Sequence, residues 1–330
     1  MAAEGGNIVR FLYTGAVGEN IPDEATHITV AEGITFVRAR AFLWHRNIVE
    51  VICHDKVEKI ERNAFADCHS LRRVIMPGVK ILEAAAFYRC VALADIECDK
   101  LEIIENQVFQ FCKSLRSINL PSTRTVWRFA FSHCEALMEV KFGSELERIK
   151  KYAFYNHGED YSCTFERITI PLKDNLFTTD GIFIGCNNLV QVDLVEGKVH
   201  ETITALHLEK WRNDMNKEIE SINQILPDAR AGEGWDVGEK AIEIRRWIIS
   251  VLGKIDHYKA EHQRMLNEAT TQLELAIWKA NLDDTDESRM LREGVRTTRG
   301  SVKRARRELC VTSGANIVIK NVLPFLQLKS

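Results

Sequence analysis

A motif that recurs about every 22 residues dominates the first two hundred positions and restricts the chain to repeat architectures. A small or branched residue followed by phenylalanine occurs seven times, with successive phenylalanines 23, 22, 22, 22, 23 and 29 residues apart. Three residues after the phenylalanine comes a cysteine in five units and a histidine in two, and an aliphatic residue follows three positions later in six units. These anchors are Phe42, Phe65, Phe87, Phe109, Phe131, Phe154 and Phe183; Cys68, Cys90, Cys112, Cys134 and Cys186; and His45 and His157.

The length of the unit determines how it can fold. About 22 residues cannot enclose a core of their own, but stacked units can bury one between neighbours, so the repeat predicts a solenoid. Alternation with period two, as at Val74 and Met76 or at Ile118 and Leu120, predicts one short strand per unit with one face in the core. Stacked in register, these strands form a parallel sheet with ~4.8 Å between turns, and the phenylalanines and cysteines form interior ladders.

The consensus Ile-x-x-x-Ala-Phe-x-x-Cys-x-x-Leu-x-x-(Ile/Val)-x-apolar-Pro is seen from Ile60 to Pro77, and again from Ile104 to Pro121 with Val108 in place of the alanine. It resembles the BspA-like class of leucine-rich repeats, over roughly residues 28–195. The resemblance implies a solenoid that serves as a binding surface, mostly for proteins, and it implies no chemistry. We expect residues 1–27 to cap its N-terminal end and the insertion at 157–164 to protrude as a loop.

Beyond residue 198 the apolar spacing changes from two to about 3.6, which predicts a helical domain over 199–330. One amphipathic helix runs from Ile203 to Leu226, and a longer pattern with a coiled-coil-like seam runs from Ala241 to Ala269. The two should form an antiparallel hairpin, although the seam could instead join a second copy in a homo-oligomer. The predicted class is therefore α+β, a seven-unit leucine-rich-repeat solenoid followed by a helical hairpin or bundle. This helical part resembles the C-terminal extensions of lineage-expanded algal BspA-like proteins.

Basic residues recur at steps of three and four over 288–309 and form a stripe. The stripe could bind nucleic acid, anionic lipid or an acidic protein face, or it could be a solvated helix face paired with nearby carboxylates. The formal net charge of −3 points to no polyanionic partner. The apolar tail at 317–326 is too short to span a membrane and is expected to dock on protein. The stripe consists of Arg289, Arg292, Arg296, Arg299, Lys303 and Arg306.

The common enzyme signatures for phosphate loops, serine nucleophiles and zinc peptidases do not occur in the sequence. The ladder cysteines would lie in a line, which cannot surround a metal ion tetrahedrally. We therefore expect no catalytic residues, no cofactor and no metal. The segment from Met1 to Arg10 lacks the features of a signal peptide, so we expect an intracellular, cytoplasmic protein with reduced thiols. Cys163 and Cys310, outside the ladder positions, are the candidate reactive thiols.

The residues that flank the inward Val or Ile of each strand should point to the outer face of the sheet. Their charges are mixed in sign, which suits a protein epitope better than a phosphate backbone, although the face could be merely solvated. The sequence thus predicts a non-enzymatic scaffold that binds an unknown protein partner. The alternatives are nucleic-acid or anionic-membrane binding through the basic stripe and an unrecognised active site in the 157–164 insertion or between the domains. The predicted protein-binding residues are Glu50, Arg73, Asp95, Glu97, Asn119, Glu139, Lys141, Arg167, Gln191 and Asp193.

Overall fold

Short parallel strands, stacked turn upon turn, precede three helices in the part of the chain that the structure describes. This computed structural model describes residues 8–156, 163–179, 181–195, 198–206, 208–232 and 238–292. The strands are β1 Arg10–Tyr13, β2 His27–Val30, β3 Phe36–Val37, β4 Glu50–Ile52, β5 Lys59–Ile60, β6 Arg73–Ile75, β7 Ile81–Leu82, β8 Asp95–Glu97, β9 Ile103–Ile104, β10 Ser117–Leu120, β11 Thr125–Val126, β12 Glu139–Phe142, β13 Arg148–Ile149, β14 Arg167–Ile170 and β15 Gln191–Leu194. The helices are α1 Lys198–Thr204, α2 Glu209–Ile225 and α3 Lys240–Arg292.

The strands lie in three parallel sheets on two sides of the solenoid. One side carries a five-stranded sheet in the order β1-β2-β4-β6-β8 and then a separate four-stranded sheet, β10-β12-β14-β15. The other side carries a six-stranded sheet, β13-β11-β9-β7-β5-β3. The predicted stack of about seven units is confirmed, but most units contain a second strand that the sequence analysis did not predict. These extra strands have two residues each, too few for a period-two pattern to show.

The predicted ladder of phenylalanines forms the centre of the core. Consecutive ring centroids lie 4.8 to 5.7 Å apart and the rings are nearly parallel, with interplanar angles of 3° to 19°. Each of the seven rings is at most 3% exposed. The Tyr13 ring packs against the N-terminal end of the ladder, 5.1 Å from Phe42 and tilted by 57°, so β1 covers that end of the core.

The ladder cysteines fill the space beside the phenylalanines and satisfy buried carbonyl groups. Each thiol lies 3.0 to 3.3 Å from the carbonyl oxygen of a ladder phenylalanine in the preceding turn and donates a weak hydrogen bond to it. For example, the Cys90 Sγ donates to the Phe65 carbonyl at 3.0 Å. This position therefore suits a small side chain that can donate a hydrogen bond, which explains the cysteine in the repeat.

Most turns bend at two non-glycine residues with positive φ, one two positions before the ladder phenylalanine and one two positions after it. Such conformations cost about 1–3 kcal/mol each. The cost is offset because these residues donate backbone hydrogen bonds to the next turn, as Arg40 does to Arg62 at 3.1 Å and Trp44 to Ala66 at 3.0 Å. The two bends hold the chain between them in a conformation that directs the phenylalanine side chain into the core.

The chain divides into two compact units, Met1–Val199 with Lys217–Ser250, and His200–Asn216 with Val251–Ser330. Within the first unit, the second half of α2 and the start of α3 cover the last repeat: the Asn223 side chain accepts a hydrogen bond from the backbone N–H of Val192 in β15 at 2.8 Å. The Trp247 indole N–H donates to the Glu218 carbonyl at 2.9 Å.

Within the second unit, Asp214 of α2 accepts hydrogen bonds from Tyr258 at 2.6 Å and Lys254 at 3.0 Å. Later residues of α3 thus contact earlier residues of α2, as in the predicted antiparallel hairpin. The long helix predicted over 241–269 is confirmed, and it continues without a break to Arg292, where the sequence analysis placed a separate segment from residue 288.

Several predictions fall outside the described residues. They concern positions 157–162 of the insertion, Cys310, the tail at 317–326, and the stripe residues Arg296, Arg299, Lys303 and Arg306. Arg289 and Arg292 belong to the end of α3. The predicted domain limits at 27 and 198 stay predictions. Among the described helices, none combines the length and the apolar character needed to cross a bilayer.

Candidate protein-interaction surface

The predicted protein-binding residues lie in two groups, one on each sheet of the same side. In the first sheet the register aligns Glu50 with Arg73 and Arg73 with Asp95, and Glu97 lies in the adjacent column. We call Glu50, Arg73, Asp95 and Glu97 the first patch. In the second sheet the register aligns Glu139, Arg167 and Gln191 in one column and Asn119, Lys141 and Asp193 in the other. These six residues form the second patch.

Arg73 is the centre of the first patch. Its guanidinium lies 3.8 Å from the Glu50 carboxylate, 3.1 Å from Asp95 and 2.7 Å from Glu97. The hydrogen bond with Glu97, followed by the charge of Asp95, raises the pKa of Arg73 above its usual value. The arginine side chain is 45% exposed and Asp95 59%, so these ion pairs lie at the surface and a partner can reach them.

Arg167 has the same place in the second patch. Its guanidinium lies 3.9 Å from Glu139 in the preceding turn and 3.7 Å from Asp193 in the following turn, and it donates to the Gln191 side chain at 2.7 Å. Lys141 adds an ion pair with Glu139 at 3.2 Å. The repeat therefore produces the same arrangement twice, an arginine between an acidic residue one turn before and polar or acidic residues one turn after.

The two patches differ in charge. One arginine faces three carboxylates in the first patch, which leaves an excess of negative charge. In the second patch Lys141 and Arg167 balance Glu139 and Asp193. Ile52, beside the first patch, is 37% exposed and supplies apolar surface there.

A second surface, missed in the sequence analysis, lies at the positive-φ bends of the later turns. Aromatic rings stack between turns there, Phe111 on His133 at 4.8 Å and Phe129 on Tyr152 at 5.2 Å. The Lys150 ammonium lies 2.9 Å from the centre of the Trp127 ring, a cation–π contact. The sequence contains a pattern that could have predicted this surface, because aromatic residues concentrate two positions before and two positions after the ladder phenylalanines in these turns.

One thiol, that of Cys163, is more buried than the sequence analysis expected. The eight described cysteines are all free and buried. Interpreting Cys163 as a thiol of a protruding loop was wrong, because it is 4% exposed and belongs to the core. In the described parts of the chain, no group of three or more His, Cys, Asp or Glu side chains could hold a metal ion.

The comparison with family models agrees with this architecture. The family model for the BspA type leucine rich repeat region matches in six copies, over residues 35–159 and 124–209. A leucine-rich repeat protein of T. pallidum is 30% identical, with 44% of this chain and 69% of that chain covered and a TM-score of 0.40. A leucine rich cell surface protein from Faecalibacterium prausnitzii is 24% identical, with 57% and 48% covered and a TM-score of 0.43. The search of curated proteins finds no match.

Proposed function

The chain belongs to the BspA-type leucine-rich repeat family, and from this premise we propose that it is a non-enzymatic scaffold that binds a partner protein through the first and second patches. Leucine-rich repeat proteins are generally interaction scaffolds. The observation that carries the proposal is the repeated arginine cluster, in which Arg73 and Arg167 hold charged side chains of three successive turns in a fixed register.

Preorganisation is the physical reason why such clusters suit binding. Holding a long charged side chain at an interface costs about 0.5–1.5 kcal/mol of conformational freedom, and a cluster that is already ordered avoids part of that cost. Exposed ion pairs contribute little to folding, so they can be exchanged for pairs with a partner. The excess of carboxylates around Arg73 favours a basic segment of the partner at the first patch, with Ile52 as an apolar contact.

The test is affinity capture from native lysate with the full chain, with both protein and nucleic acid analysed. The variant Asp95→Lys with Glu97→Lys reverses the first patch. The matched control is Glu58→Lys with Lys80→Glu, an ion pair of 2.9 Å near the other sheet whose side chains are 59% and 44% exposed. We expect specific proteins to be lost with the patch variant and kept with the control.

Two outcomes would contradict the proposal: an unchanged set of captured proteins with the patch variant, or capture of nucleic acid alone. The second would favour the basic stripe. The intracellular location and the homo-oligomer through α3 stay predictions. For the latter, Leu275, Ile277 and Trp278 are 58%, 54% and 63% exposed on α3.

A further inference from the structure

Aromatic rings and cations lie together at the bends of the fifth and sixth units. Three of the residues follow β11 and three follow β13, and these two strands pair in register. The strands belong to the six-stranded sheet, whereas the first and second patches lie on the two sheets of the other side. The aromatic–basic surface, as we call this set, consists of Trp127, Arg128, Phe129, Lys150, Lys151 and Tyr152.

The residue that directly follows each two-residue strand changes in character along the solenoid. In three successive turns it is a glutamate whose carboxylate accepts a backbone N–H of the preceding turn at 3.0 to 3.1 Å, and these are Glu61, Glu83 and Glu105. Two of them also pair with a cation, since Lys59 lies 3.0 Å from Glu61 and 3.2 Å from Glu83. The next two turns place Trp127 and Lys150 in this column, so the carboxylates end where the aromatic–basic surface begins.

Aromatic rings hold the cations of this surface in place. The Lys150 ammonium lies 2.9 Å from the centre of the Trp127 ring, and the Lys151 ammonium lies 4.4 Å from the centre of the Tyr152 ring. The Arg128 guanidinium lies 6.0 Å from the centre of the Tyr152 ring as well. A ring attracts a cation through its quadrupole and does not neutralise the charge. The cations are therefore oriented but keep their full positive charge.

No acidic side chain compensates these cations within the part of the chain that the structure describes. Arg128, Lys150 and Lys151 form no ion pair with a carboxylate there. Burial, followed by the positive charge of Arg148, lowers the pKa of Lys150 below its usual value. Arg128 and Lys151 occupy the same place in successive turns, with backbones about 4.8 Å apart, so their like charges repel each other. The surface thus carries an excess of positive charge.

An excess of positive charge favours an anionic partner, and the rings distinguish between two kinds of polyanion. Single-stranded nucleic acid binds through bases that stack on free ring faces. Here Phe129 stacks on Tyr152 at 5.2 Å, Tyr152 is only 8% exposed, and Lys150 covers a face of Trp127. These rings orient cations and leave little free face for a base. The arrangement therefore favours the carboxylates of an acidic peptide over nucleic acid.

We propose that the aromatic–basic surface binds an acidic peptide segment of a partner protein, whose carboxylates pair with Arg128, Lys150 and Lys151. The rings hold these cations in place before binding, which reduces the conformational freedom lost in the complex. The guanidinium and ammonium groups then donate charge-assisted hydrogen bonds to the carboxylates. This site goes beyond the proposed function, because the patches lie on other sheets and the first patch favours a basic segment.

The test begins with a selection from random peptides displayed on phage, with the full chain as the bait. We expect peptides rich in Asp and Glu to be enriched. The most strongly enriched acidic peptide is synthesised with a neutral version, in which Asn replaces Asp and Gln replaces Glu, and binding is measured by fluorescence anisotropy. The acidic peptide should bind about tenfold more tightly than the neutral one, and its affinity should fall as the salt concentration rises.

Two double variants locate the binding site. Arg128→Gln with Lys151→Gln removes two uncompensated charges and should weaken binding of the acidic peptide about tenfold. The matched control, Lys59→Gln with Lys80→Gln, removes two cations beside the same sheet that are paired with glutamates. Lys59 also lies over a ring, 5.6 Å from the centre of Phe36. The control should keep the affinity within about twofold, because its charges are already compensated.

Variants of Tyr152 test whether its ring positions the cations. Tyr152→Leu keeps every charge but removes the ring over which Arg128 and Lys151 lie, so it should weaken the acidic peptide several-fold. Tyr152→Phe keeps the ring and should retain the affinity. Circular dichroism checks that both variants are folded, and if the leucine variant is not, the charge variants still decide.

Four results would overturn the proposal. They are a selection without acidic peptides, equal losses in the two double variants, displacement of the peptide by a lower concentration of a single-stranded oligonucleotide, and self-association of the chain that Arg128→Gln with Lys151→Gln abolishes. The variant Asp95→Asn with Glu97→Gln should leave binding of the acidic peptide unchanged. Failure of this site can therefore be distinguished from failure of the first patch.

Discussion

Removing one ring from the middle of the phenylalanine ladder should destabilise the protein more than most single changes. Phe109 is fully buried and stacks on Phe87 at 5.7 Å and on Phe131 at 5.4 Å. Phe to Ala changes in cores cost about 3–5 kcal/mol, and each aromatic pair contributes about 0.5–1.5 kcal/mol beyond its buried area. The cavity that the missing Phe109 ring would leave cannot close, because the backbone of this turn is hydrogen-bonded to the turns on both sides. For Phe109→Ala we therefore expect a loss near the upper limit, about 5 kcal/mol.

The matched control is Phe111→Ala in the same turn. Phe111 is only partly buried and has a stacked neighbour at 4.8 Å, His133, and an edge contact at 5.8 Å, Tyr88. Burying a whole phenylalanine side chain stabilises by about 1.5–3 kcal/mol, so a partly buried ring should cost about 1–2 kcal/mol when removed. Urea unfolding of the full chain, followed by circular dichroism, measures both free energies. A loss below about 2 kcal/mol for Phe109→Ala, or one no larger than that of the control, would refute the ladder as the main source of stability.

Three further predictions concern other parts of the fold. The pKa of Cys163 is about 6 in the folded chain and therefore lies below the ~8.5 of an unfolded thiol. The free energy of unfolding should be highest above pH 8.5 and should fall by up to ~1.4 kcal/mol per pH unit as the pH drops toward 6. Urea titrations at several pH values measure this dependence, which should be flatter in Cys163→Ala. Gly78→Ala should lower the melting temperature, because the new Cβ would lie 2.0 Å from the Asp55 carbonyl oxygen. Gly253→Ala, which has open space around it in α3, should instead stabilise the protein by about 0.5–1 kcal/mol. Equal effects of the two variants would contradict the close approach of Gly78 to Asp55. A chain that ends at residue 195 should self-associate in light scattering through the uncovered β15 edge, and a stable monomer would argue against a capping role of 217–250.

The interior of the solenoid could be predicted from the sequence because each turn contacts only its neighbours. A residue at a given place in the repeat therefore has nearly the same surroundings in every turn, and Phe87 and Phe109 differ little. For the same reason, the alternation along each strand was sufficient to predict which of its residues lie on the outer face of the sheet. The arginine clusters could not, because which carboxylate Arg73 contacts depends on side-chain rotamers and on diagonal neighbours that periodicity does not define.

The burial of Cys163 and of Lys240 could not be predicted, for a different reason. An insertion removes the spacing on which repeat analysis depends, so the burial of Cys163 had no signal in the sequence. Lys240 is 51 residues from Leu189, whose carbonyl it binds, and only the folding of α2 and α3 against the last repeat brings them together. Within the described residues the buried Lys240 forms no ion pair with a carboxylate, which also contradicts the usual expectation that charged residues are exposed.

The last turn of a solenoid has no following turn to pair with its backbone. Most interior strands pair with strands of the turns on both sides, but the last strand needs another source of partners. Here Asn223 accepts from the backbone of Val192, and Lys240 satisfies the carbonyl of Leu189, so polar side chains of the helical segment replace the missing next turn. Bonding a carbonyl with a buried ammonium introduces a charge that the apolar core cannot stabilise by itself. Burial accordingly lowers the pKa of Lys240 below its usual value, so the protonation of this lysine is coupled to the way in which the solenoid is closed.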